Sequence, residues 1–311
     1  MSSIDPLVSI IVPFYNPGEY FQELIESLKR QSYSNIQIIL VNDGSDNKSS
    51  QQALAFAAED SRVVLVEKEN GGVASARQAG LEVSTGDYII HADADDFVPR
   101  TAIFKLVTKA LLDNADVVVG GYRVSYSSKE IDVFAEDVSY CEFVKGLIDG
   151  RFHGSLSNKL IRAELCKVVS FEVGLNYMED KLYLARVLRP AKREISYLNE
   201  VVYIYRQNAL SVTYNLSSVS IQSSIKVVEH IVDEYADCFN DSFLELMLNK
   251  QRAFAIFQMA KNSINVYEAS DWRLVLDTKI PAKYRFAVIL VRFRILWPFQ
   301  LIKYFKARKL L

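Results

Sequence analysis

Three aspartates lie within four positions of one another, directly after a short apolar run. Residues 91–96 read HADADD and follow the run at 88–90. Like charges this close repel one another, so packing alone does not favour them. Carboxylate oxygens are the ligands that Mg²⁺ and Mn²⁺ prefer, and these cations often share them with substrate phosphates. The cluster indicates either a divalent metal site or a solvated turn in which Asp96 caps the next helix.

Polar residues of types that suit nucleotide binding also follow two earlier apolar runs. Asp43 lies in the segment VNDGS, which predicts either an Asx-turn with Gly44 or an acceptor for a base or ribose hydrogen. The triplet at 70–72 is Asn-Gly-Gly, a turn whose backbone can approach a ligand closely. Arg77 follows, either as a surface side chain or facing a diphosphate.

A second acidic pair, Glu179-Asp180, lies far away in the sequence. Acidic residues are favoured in the first turn of a helix by the helix dipole, which explains the pair without any function. Alternatively, one of these carboxylates is a general base, which contributes about 10²–10⁴-fold in rate when it reaches an acceptor hydroxyl.

The elements that must position these residues alternate along the first 126 positions. Short runs rich in Val and Ile predict strands, and amphipathic stretches predict helices. The predicted strands are 8–12, 36–41, 63–66, 88–90 and 117–119, and the predicted helices are 17–31, 49–58, 73–83 and 99–112. We expect Asn16 to cap the first helix and Pro17 to lie in its first turn. This alternation predicts a mostly parallel sheet flanked by helices, with ligands at the carboxyl ends of its strands.

The later part of the chain follows another pattern. Residues 127–137 are polar and predict a loop, while 140–148 and 178–188 predict helices. Residues 195–205 alternate as a strand does, and the chain from 219 onward predicts helices only. The organisation expected is therefore an α/β domain at 1–211 and a helical C-terminal region at 212–311.

Composition excludes several classes of protein. Half of the 311 residues are hydrophobic, which is typical of a globular chain. The three cysteines are widely spaced, which favours reduced thiols in the cytoplasm over disulfides or a metal site. The N-terminus has no signal-peptide pattern, and no apolar stretch approaches the roughly 20 residues of a spanning helix. The net charge is −2, and an excess of basic residues is confined to the segment after Asp277, which argues against a general nucleic-acid binder.

Five segments, taken in order, resemble the family 2 inverting glycosyltransferases with a GT-A (Rossmann-like) fold. They are VSIIVPFYN, ILVNDGSDN, ENGGVASARQAGL, GDYIIHADADD and MED. Shorter matches at 157–162, 177–180 and 203–206 are similar to the bacterial branch that builds capsules, exopolysaccharides and the outer part of lipopolysaccharide. The resemblance implies a hexosyl- or N-acetylhexosaminyltransferase that uses a nucleoside-diphosphate sugar, with UDP as the expected nucleotide.

The resemblance also implies how the donor is bound. Asp43 would bind the uracil, while Pro13 and Tyr15 would flank the nucleoside. Asp93 would contact the ribose. In the Asp-x-Asp motif, Asp95, together with Asp93, would ligate Mn²⁺ or Mg²⁺ on the diphosphate.

The remaining implied roles concern catalysis and the phosphates. Asp180 would be the catalytic base, supported by Glu179, and attack in a single displacement would invert the anomeric configuration. Arg77 and Lys159 would be phosphate or structural contacts. One departure is visible at 91–92, where His-Ala replaces the bulky apolar residues usual in the family.

The sequence also bears on three alternatives to an active glycosyltransferase. A nucleotidyltransferase would bring a Gly-rich basic loop after the first strand, and the chain has PFYN there. A dehydrogenase would bring G-x-G-x-x-G, which is missing after that strand. An inactive carbohydrate-assembly partner would not need Asp93, Asp95 and Asp180, which are all present.

The C-terminal tail has a distinct charge. No acidic residue follows Asp277, whereas nine basic residues do, and aromatic residues are mixed with them. The pattern at 283–311 is typical either of a terminal helix pair, divided at Pro298 and packed on the protein, or of an interfacial helix on an anionic membrane. A lipid-linked saccharide acceptor favours the second alternative, which would place the protein on the cytoplasmic face of the plasma membrane.

Overall fold

The structure is a computed structural model of the chain, and it describes residues 5–126, 128–134, 136–189, 194–207, 216–261 and 280–292. An eight-stranded sheet lies at its centre, with the strand order β3-β2-β1-β4-β7-β5-β6 and with β8 paired to β5. The strands are β1 Val8–Phe14, β2 Ile36–Asp43, β3 Val63–Lys68, β4 Tyr88–His91, β5 Val117–Ser125, β6 Glu130–Val133, β7 Lys159–Arg162 and β8 Ile195–Arg206.

The first four strands are all parallel, and the other half of the sheet is mixed. β1 pairs in parallel with β2 and β4, and β2 pairs in parallel with β3. β7 runs antiparallel to both β4 and β5, whereas β8 is parallel to β5. The carboxyl ends of β1 to β4 therefore open onto one edge of the sheet, which confirms the predicted α/β class.

Helices follow most of the strands. They are α1 Phe21–Lys29, α2 Asn47–Glu59, α3 Val73–Glu82, α4 Ala102–Leu112, α5 Tyr140–Asp149, α6 Ala163–Cys166, α7 Glu179–Leu188, α8 Ser218–Glu234, α9 Asp241–Lys261 and α10 Ala282–Arg292. Side-chain caps fix several starts: Asp46 accepts from the backbone of Lys48 and Ser49 at α2, and Ser139 and Glu142 form a capping box at α5.

The sheet core explains why these runs are strands. Every residue of β1 and of β4 is buried, because helices cover both faces of the parallel half. α1 and α4 contribute one apolar face each, including Phe21, Leu24, Ile103 and Leu106, to the core that holds Ile10 and the other inward-facing residues of these strands.

Contacts divide the chain into two compact units. The first comprises residues 1–174 and 179–208, and the second comprises 175–178 and 209–311. The second unit has a core of its own, which includes Ile221, Ile256, Met259 and Val288. The predicted boundary between 211 and 212 lies outside the described residues.

Two local predictions are wrong, and one strand was not predicted. Asn16 does not cap the first helix: it has a φ of 46°, a 3₁₀ turn covers Gly18–Tyr20, and α1 begins only at Phe21. The predicted loop at 127–137 contains strand β6, whose residues lie at the exposed end of the sheet order. β7 was not predicted, because four residues with a charge at each end carry no clear strand period.

Of the basic tail, only α10 belongs to the described residues, so the predicted division at Pro298 lies outside them. Within the described parts of the chain, no helix is both long enough and apolar enough to cross a membrane.

Candidate functional site

Two residues predicted to flank a nucleoside lie at the carboxyl end of β1. Pro13 is buried in the strand, in register with Val41 of β2. Tyr15 comes one residue after the strand ends, and 56% of its surface is exposed. A large aromatic ring left open at a strand end offers a stacking surface for a flat ligand.

Asp43 is buried at the carboxyl end of β2 and organises the next loop. Its carboxylate accepts hydrogen bonds from the backbone of Gly71 at 2.9 Å and Gly72 at 2.8 Å, and from Lys68 Nζ at 2.6 Å. An ionised carboxylate has about four acceptor sites, so these three donors leave room for one more. The turn after β2 is held by Asn42 rather than by Asp43, because Asn42 Oδ1 accepts from the backbone of Ser45, three residues on, at 2.8 Å.

Arg77, on α3, joins two acidic segments that are distant in the sequence. Its guanidinium donates to Asp93 Oδ1 at 2.8 Å, 16 positions away. It also donates through a short contact to Glu179 Oε1, 102 positions away. Arg77 and Glu179 are both buried, so this ion pair is held inside the protein rather than on its surface. One cation thus fixes the aspartate cluster and the start of α7 to each other.

The charges in this cluster shift one another's pKa values. Burial alone would lower the pKa of Arg77, but Asp93, Glu179 and Asp180 raise it above its ordinary value, so the guanidinium is charged. Burial raises the pKa of Glu179 to about 7, against the attraction of Arg77. Arg77 Nε is buried, and none of the residues that the structure describes accepts a hydrogen bond from it. The Asp93 side chain is 34% exposed, so solvent still reaches the ion pair between Arg77 and Asp93.

The aspartates of the cluster have different surroundings. Asp93 and Asp95 are partly exposed, while Ala92, Ala94 and Asp96 are buried. This alternation turns two carboxylates toward solvent and one into the protein. Asp93 and Asp95 are therefore the two aspartates of the cluster that solvent reaches.

Asp96 is structural and does not cap α4, which begins at Ala102 after Thr101. Its carboxylate accepts from the Tyr203 hydroxyl at 2.7 Å and from the Arg206 backbone at 2.7 Å. The same hydroxyl accepts from the Asp93 backbone at 2.9 Å. Burial raises the pKa of Asp96 to about 8, with Asp93 and Asp95 adding to the effect. Sequence reasoning missed this link, although the motif at 203–206 carries both partners.

Asp180 is half-buried at the start of α7, and Glu179 beside it is buried. The Asp180 carboxylate accepts from the backbone of Lys181 at 2.7 Å. Met178, directly before the helix, has a φ of 64°, which turns the chain sharply into the first turn. Of these two residues, Asp180 is partly exposed to solvent, and the carboxylate of Glu179 is bound to Arg77.

Lys159 is buried, and all three of its ammonium hydrogens are used within the protein. Nζ donates to the carbonyls of His153 at 3.0 Å and Ser155 at 2.7 Å, and to Asn158 Oδ1 at 2.8 Å. Burial lowers its pKa to about 7, while Asp180 acts in the opposite direction. No hydrogen is left for a phosphate, so the structure favours the structural role over the phosphate contact.

His91 ends β4 and is buried, and within the described part of the chain neither of its ring nitrogens has a hydrogen-bond partner. Its ring packs edge-on against Phe171, with centroids 5.7 Å apart. Burial holds the pKa of His91 well below its ordinary value, and Arg77 adds to this shift. The imidazole is therefore neutral and occupies the space of an apolar residue.

The carboxylates of Asp93 and Asp95 are the candidate ligands for a divalent metal. Among the residues that the structure describes, no group of three or more His, Cys, Asp or Glu side chains could hold a metal. Mg²⁺, however, commonly takes only one or two carboxylates and completes its shell with waters and substrate phosphates. Asp93 and Asp95 therefore fit a hard cation that is held jointly with a diphosphate.

The architecture is that of GT-A glycosyltransferases, as solved structures show. The structure of S. aureus TarS in complex with UDP-GlcNAc is similar, with a TM-score of 0.67 and 17% sequence identity over 97% of this chain and 92% of that chain. The mannosyltransferase PcManGT from Pyrobaculum calidifontis, in complex with GDP-Man and Mn²⁺, has a TM-score of 0.55 and 18% identity, over 95% and 88% of the two chains. These structural similarities confirm the predicted fold.

The chain belongs to glycosyl transferase family 2, whose family model matches residues 9–175. It is 34% identical to the glycosyltransferase EpsJ of Bacillus subtilis over 67% of this chain, a match that spans only 63% of EpsJ. It is 32% identical to the glycosyltransferase GlyG of Streptococcus pneumoniae over 75% of this chain and 80% of GlyG. The predicted family is therefore confirmed, and membership favours glycosyl transfer over the nucleotidyltransferase and dehydrogenase alternatives.

Proposed function

We propose that this glycosyltransferase moves a hexosyl or N-acetylhexosaminyl group from a UDP-linked sugar to a saccharide or lipid-linked saccharide, with inversion, in bacterial surface polysaccharide synthesis. The observation that carries the proposal is the bridge made by Arg77. It brings the partly exposed Asp93 together with the start of α7, where Asp180 reaches solvent. This bridge supports a single site that contains the carboxylates proposed to bind the donor and to accept the proton.

The donor nucleotide would bind at the carboxyl ends of β1 and β2. The exposed ring of Tyr15 supplies a stacking face, with Pro13 beside it in the strand. Asp43 has one acceptor site left for a base N–H, because its other sites hold the loop of Gly71 and Gly72 in place. TarS, which shares the fold, was solved with UDP-GlcNAc, and this supports a UDP-linked donor.

Asp95, with Asp93, would hold Mn²⁺ or Mg²⁺ on the diphosphate. When bound, such a cation offsets the negative charge that develops on a departing nucleoside diphosphate. Arg77 holds Asp93 Oδ1 and so orients that carboxylate before any ligand arrives. The complex of PcManGT with Mn²⁺, on the same fold, supports a divalent cation here.

Asp180 would act as the general base. Its carboxylate reaches solvent, and its position is fixed because the neighbouring Glu179 is held by Arg77. Asp180 takes the proton of an acceptor hydroxyl, and that oxygen attacks the anomeric carbon as the bond to the diphosphate breaks. Attack from the opposite face inverts the configuration, so an α-linked donor yields a β-linked product.

The acceptor and the location of the protein are further parts of the proposal. A lipid-linked acceptor would place the enzyme on the cytoplasmic face of the plasma membrane, with residues 283–311 against anionic lipid. Each basic residue near such a surface contributes about 1 kcal/mol of attraction. If this is so, removing the residues after Asp277 transfers the protein from the membrane pellet to the supernatant, and unchanged pelleting would contradict it.

The donor proposal is tested by thermal shift of the purified protein with UDP, GDP, dTDP and NAD, each with and without Mn²⁺. A ligand that binds only the folded state raises apparent stability as its concentration exceeds Kd. We expect a Mn²⁺-dependent shift with UDP, lost in Asp95→Ala and kept in Asp132→Ala, an exposed aspartate on β6. A shift with NAD alone, or none with any nucleotide, would contradict the proposal.

A further inference from the structure

The loop between α5 and β7 lies against the start of α7, directly beside the proposed base. At Gly154 an added Cβ would lie 2.9 Å from Lys181 Cα and 2.6 Å from its Cβ, so only glycine fits there. Lys181 follows Asp180 in the chain. From the other side, Lys159 donates to the carbonyls of His153 and Ser155. The loop is therefore held rigidly against the helix turn that carries Asp180.

His153 stands on this loop with one ring nitrogen committed and the other available. Its Nδ1 accepts a hydrogen bond from the Ser155 backbone at 3.1 Å. An acceptor nitrogen carries no hydrogen, so in the neutral ring the proton is on Nε2. The side chain is exposed, and among the residues that the structure describes Nε2–H donates to none. The ring lies near that of Tyr122, with centroids 5.7 Å apart.

The surroundings favour the neutral form of this imidazole, although the residue is exposed. Desolvation by the neighbouring protein lowers the pKa of His153, and Lys159 and Lys181 add to the effect, against Asp180 and Asp93. A neutral N–H beside the ring of Tyr122 is suited to an uncharged polyol, whose hydroxyls accept hydrogen bonds and whose C–H faces pack on rings. A phosphate would be better matched by a cation. The ligand expected at His153 is therefore a sugar ring.

We propose that the Nε2–H group of His153 donates a hydrogen bond to a sugar hydroxyl bound in front of Asp180. This makes His153 a substrate-positioning residue, and the inference rests on the proposed transfer of sugar. The hydroxyl can belong to the sugar of the donor or to the acceptor, since both must meet at Asp180.

Two substitutions separate this role from a structural one. His153→Asn keeps a short-range acceptor for the Ser155 backbone and lacks a hydrogen at the position of Nε2. His153→Gln can place an amide hydrogen near that position. His230→Ala, on α8 in the other compact unit, is the matched control. Thermal unfolding of all three variants shows whether any change reflects folding alone.

All measurements are made with Mn²⁺ present. UDP is used for binding, UDP-GlcNAc, UDP-glucose and UDP-galactose are used as donors, and octyl glycosides of the same sugars are used as acceptors. Loss of one neutral hydrogen bond corresponds to about a tenfold effect. If the hydroxyl is the donor's, His153→Asn raises KM for donor hydrolysis about tenfold and leaves UDP affinity unchanged. If it is the acceptor's, donor hydrolysis is unchanged, and KM for the octyl glycoside rises. In either case His153→Gln restores part of the loss.

Two results would overturn the inference while leaving the proposed function intact. One is wild-type kinetics in His153→Asn. The other is an equal loss in both variants together with lowered thermal stability, which would make the residue structural. If the wild-type enzyme neither binds UDP nor releases it from any donor, the proposed function fails, and this inference fails with it.

Discussion

At the scale of single residues, the arrangement of the site depends on Arg77. The buried guanidinium of Arg77 is costly without Asp93 and Glu179 beside it as hydrogen-bond acceptors. Glu179, whose side chain is only 9% exposed, likewise depends on Arg77 as its partner. Removing the cation therefore leaves an acidic group buried without its partner, and it also frees Asp93 from its fixed orientation.

Arg77→Met is expected to lower the free energy of unfolding by about 3–5 kcal/mol, which is typical when one partner of a buried ion pair is removed. Urea denaturation measures the change. Arg30→Ala is the control, because Arg30 is 74% exposed and pairs with Glu26 at 3.5 Å on the surface. Such pairs contribute about 1 kcal/mol or less. Equal losses in the two variants would contradict the role given to Arg77.

The raised pKa of Glu179 predicts a pH dependence of stability. Burial raises it to about 7 in the folded protein, compared with about 4.3 in an unfolded chain. The folded state thus binds this proton more tightly, and the resulting stabilisation is complete below the unfolded pKa. It is lost as the pH rises through about 7.

Urea denaturation between pH 4.5 and 7.5, a range set by these two values, tests this prediction. The decline in unfolding free energy with rising pH should be smaller in Glu179→Gln than in the wild type. Glu164→Gln, a change at a side chain that is 74% exposed, should keep the wild-type slope. An unchanged slope in Glu179→Gln would show that this carboxyl does not titrate as inferred.

The residue types of the site were predictable from the sequence, whereas their connections were not. The cluster at 91–96 stood out because repelling charges ended a buried strand. Nothing in local spacing indicates that Arg77 reaches Glu179 across 102 positions. The three carbonyl and amide partners of Lys159 also depend on a loop conformation that periodicity does not encode.

At the scale of elements, α3 sets the position of Arg77, and Gly80 sets the distance of α3 from the sheet. A Cβ at Gly80 would lie 2.5 Å from Ile11 Cγ2 and 3.1 Å from Val41 Cγ2. The helix can therefore approach β1 and β2 this closely only with glycine at that position.

Gly80→Ala is expected to cost about 1–3 kcal/mol of unfolding free energy, as overpacked cores do, although alanine is the better helix former. In an Ile11→Ala background the contacted methyl group is gone, so the same change should cost less. A double-mutant cycle by chemical denaturation measures this coupling. Additive effects would show that the two side chains do not meet.

The elements predicted correctly are those with a strong apolar period. β1, β2 and β4 are buried runs, and the amphipathic stretches give α1 to α4 within a few residues of their observed bounds. β6 was missed because Glu130–Val133 is polar and exposed, so pairing with β5 rather than burial makes it a strand. The first helix begins late because the positive φ of Asn16 and a 3₁₀ turn precede it.

At the scale of the whole molecule, one compact unit contains every residue to which a role in donor binding or catalysis is assigned. It comprises residues 1–174 and 179–208, and the family match at 9–175 covers most of it. The fold and the glycosyltransferase class follow from these observations. The sugar transferred and its acceptor depend on contacts with substrates, which neither periodicity nor strand order specifies.

The central claim is that Asp180 removes a proton in a site that Arg77 assembles. The most direct measurement compares wild type and Asp180→Asn for UDP binding by calorimetry with Mn²⁺ and for UDP release from the UDP-sugar that the wild type turns over. Asp180→Asn should bind UDP as the wild type does and release it about 10²–10⁴-fold more slowly. Wild-type turnover in Asp180→Asn would contradict the account.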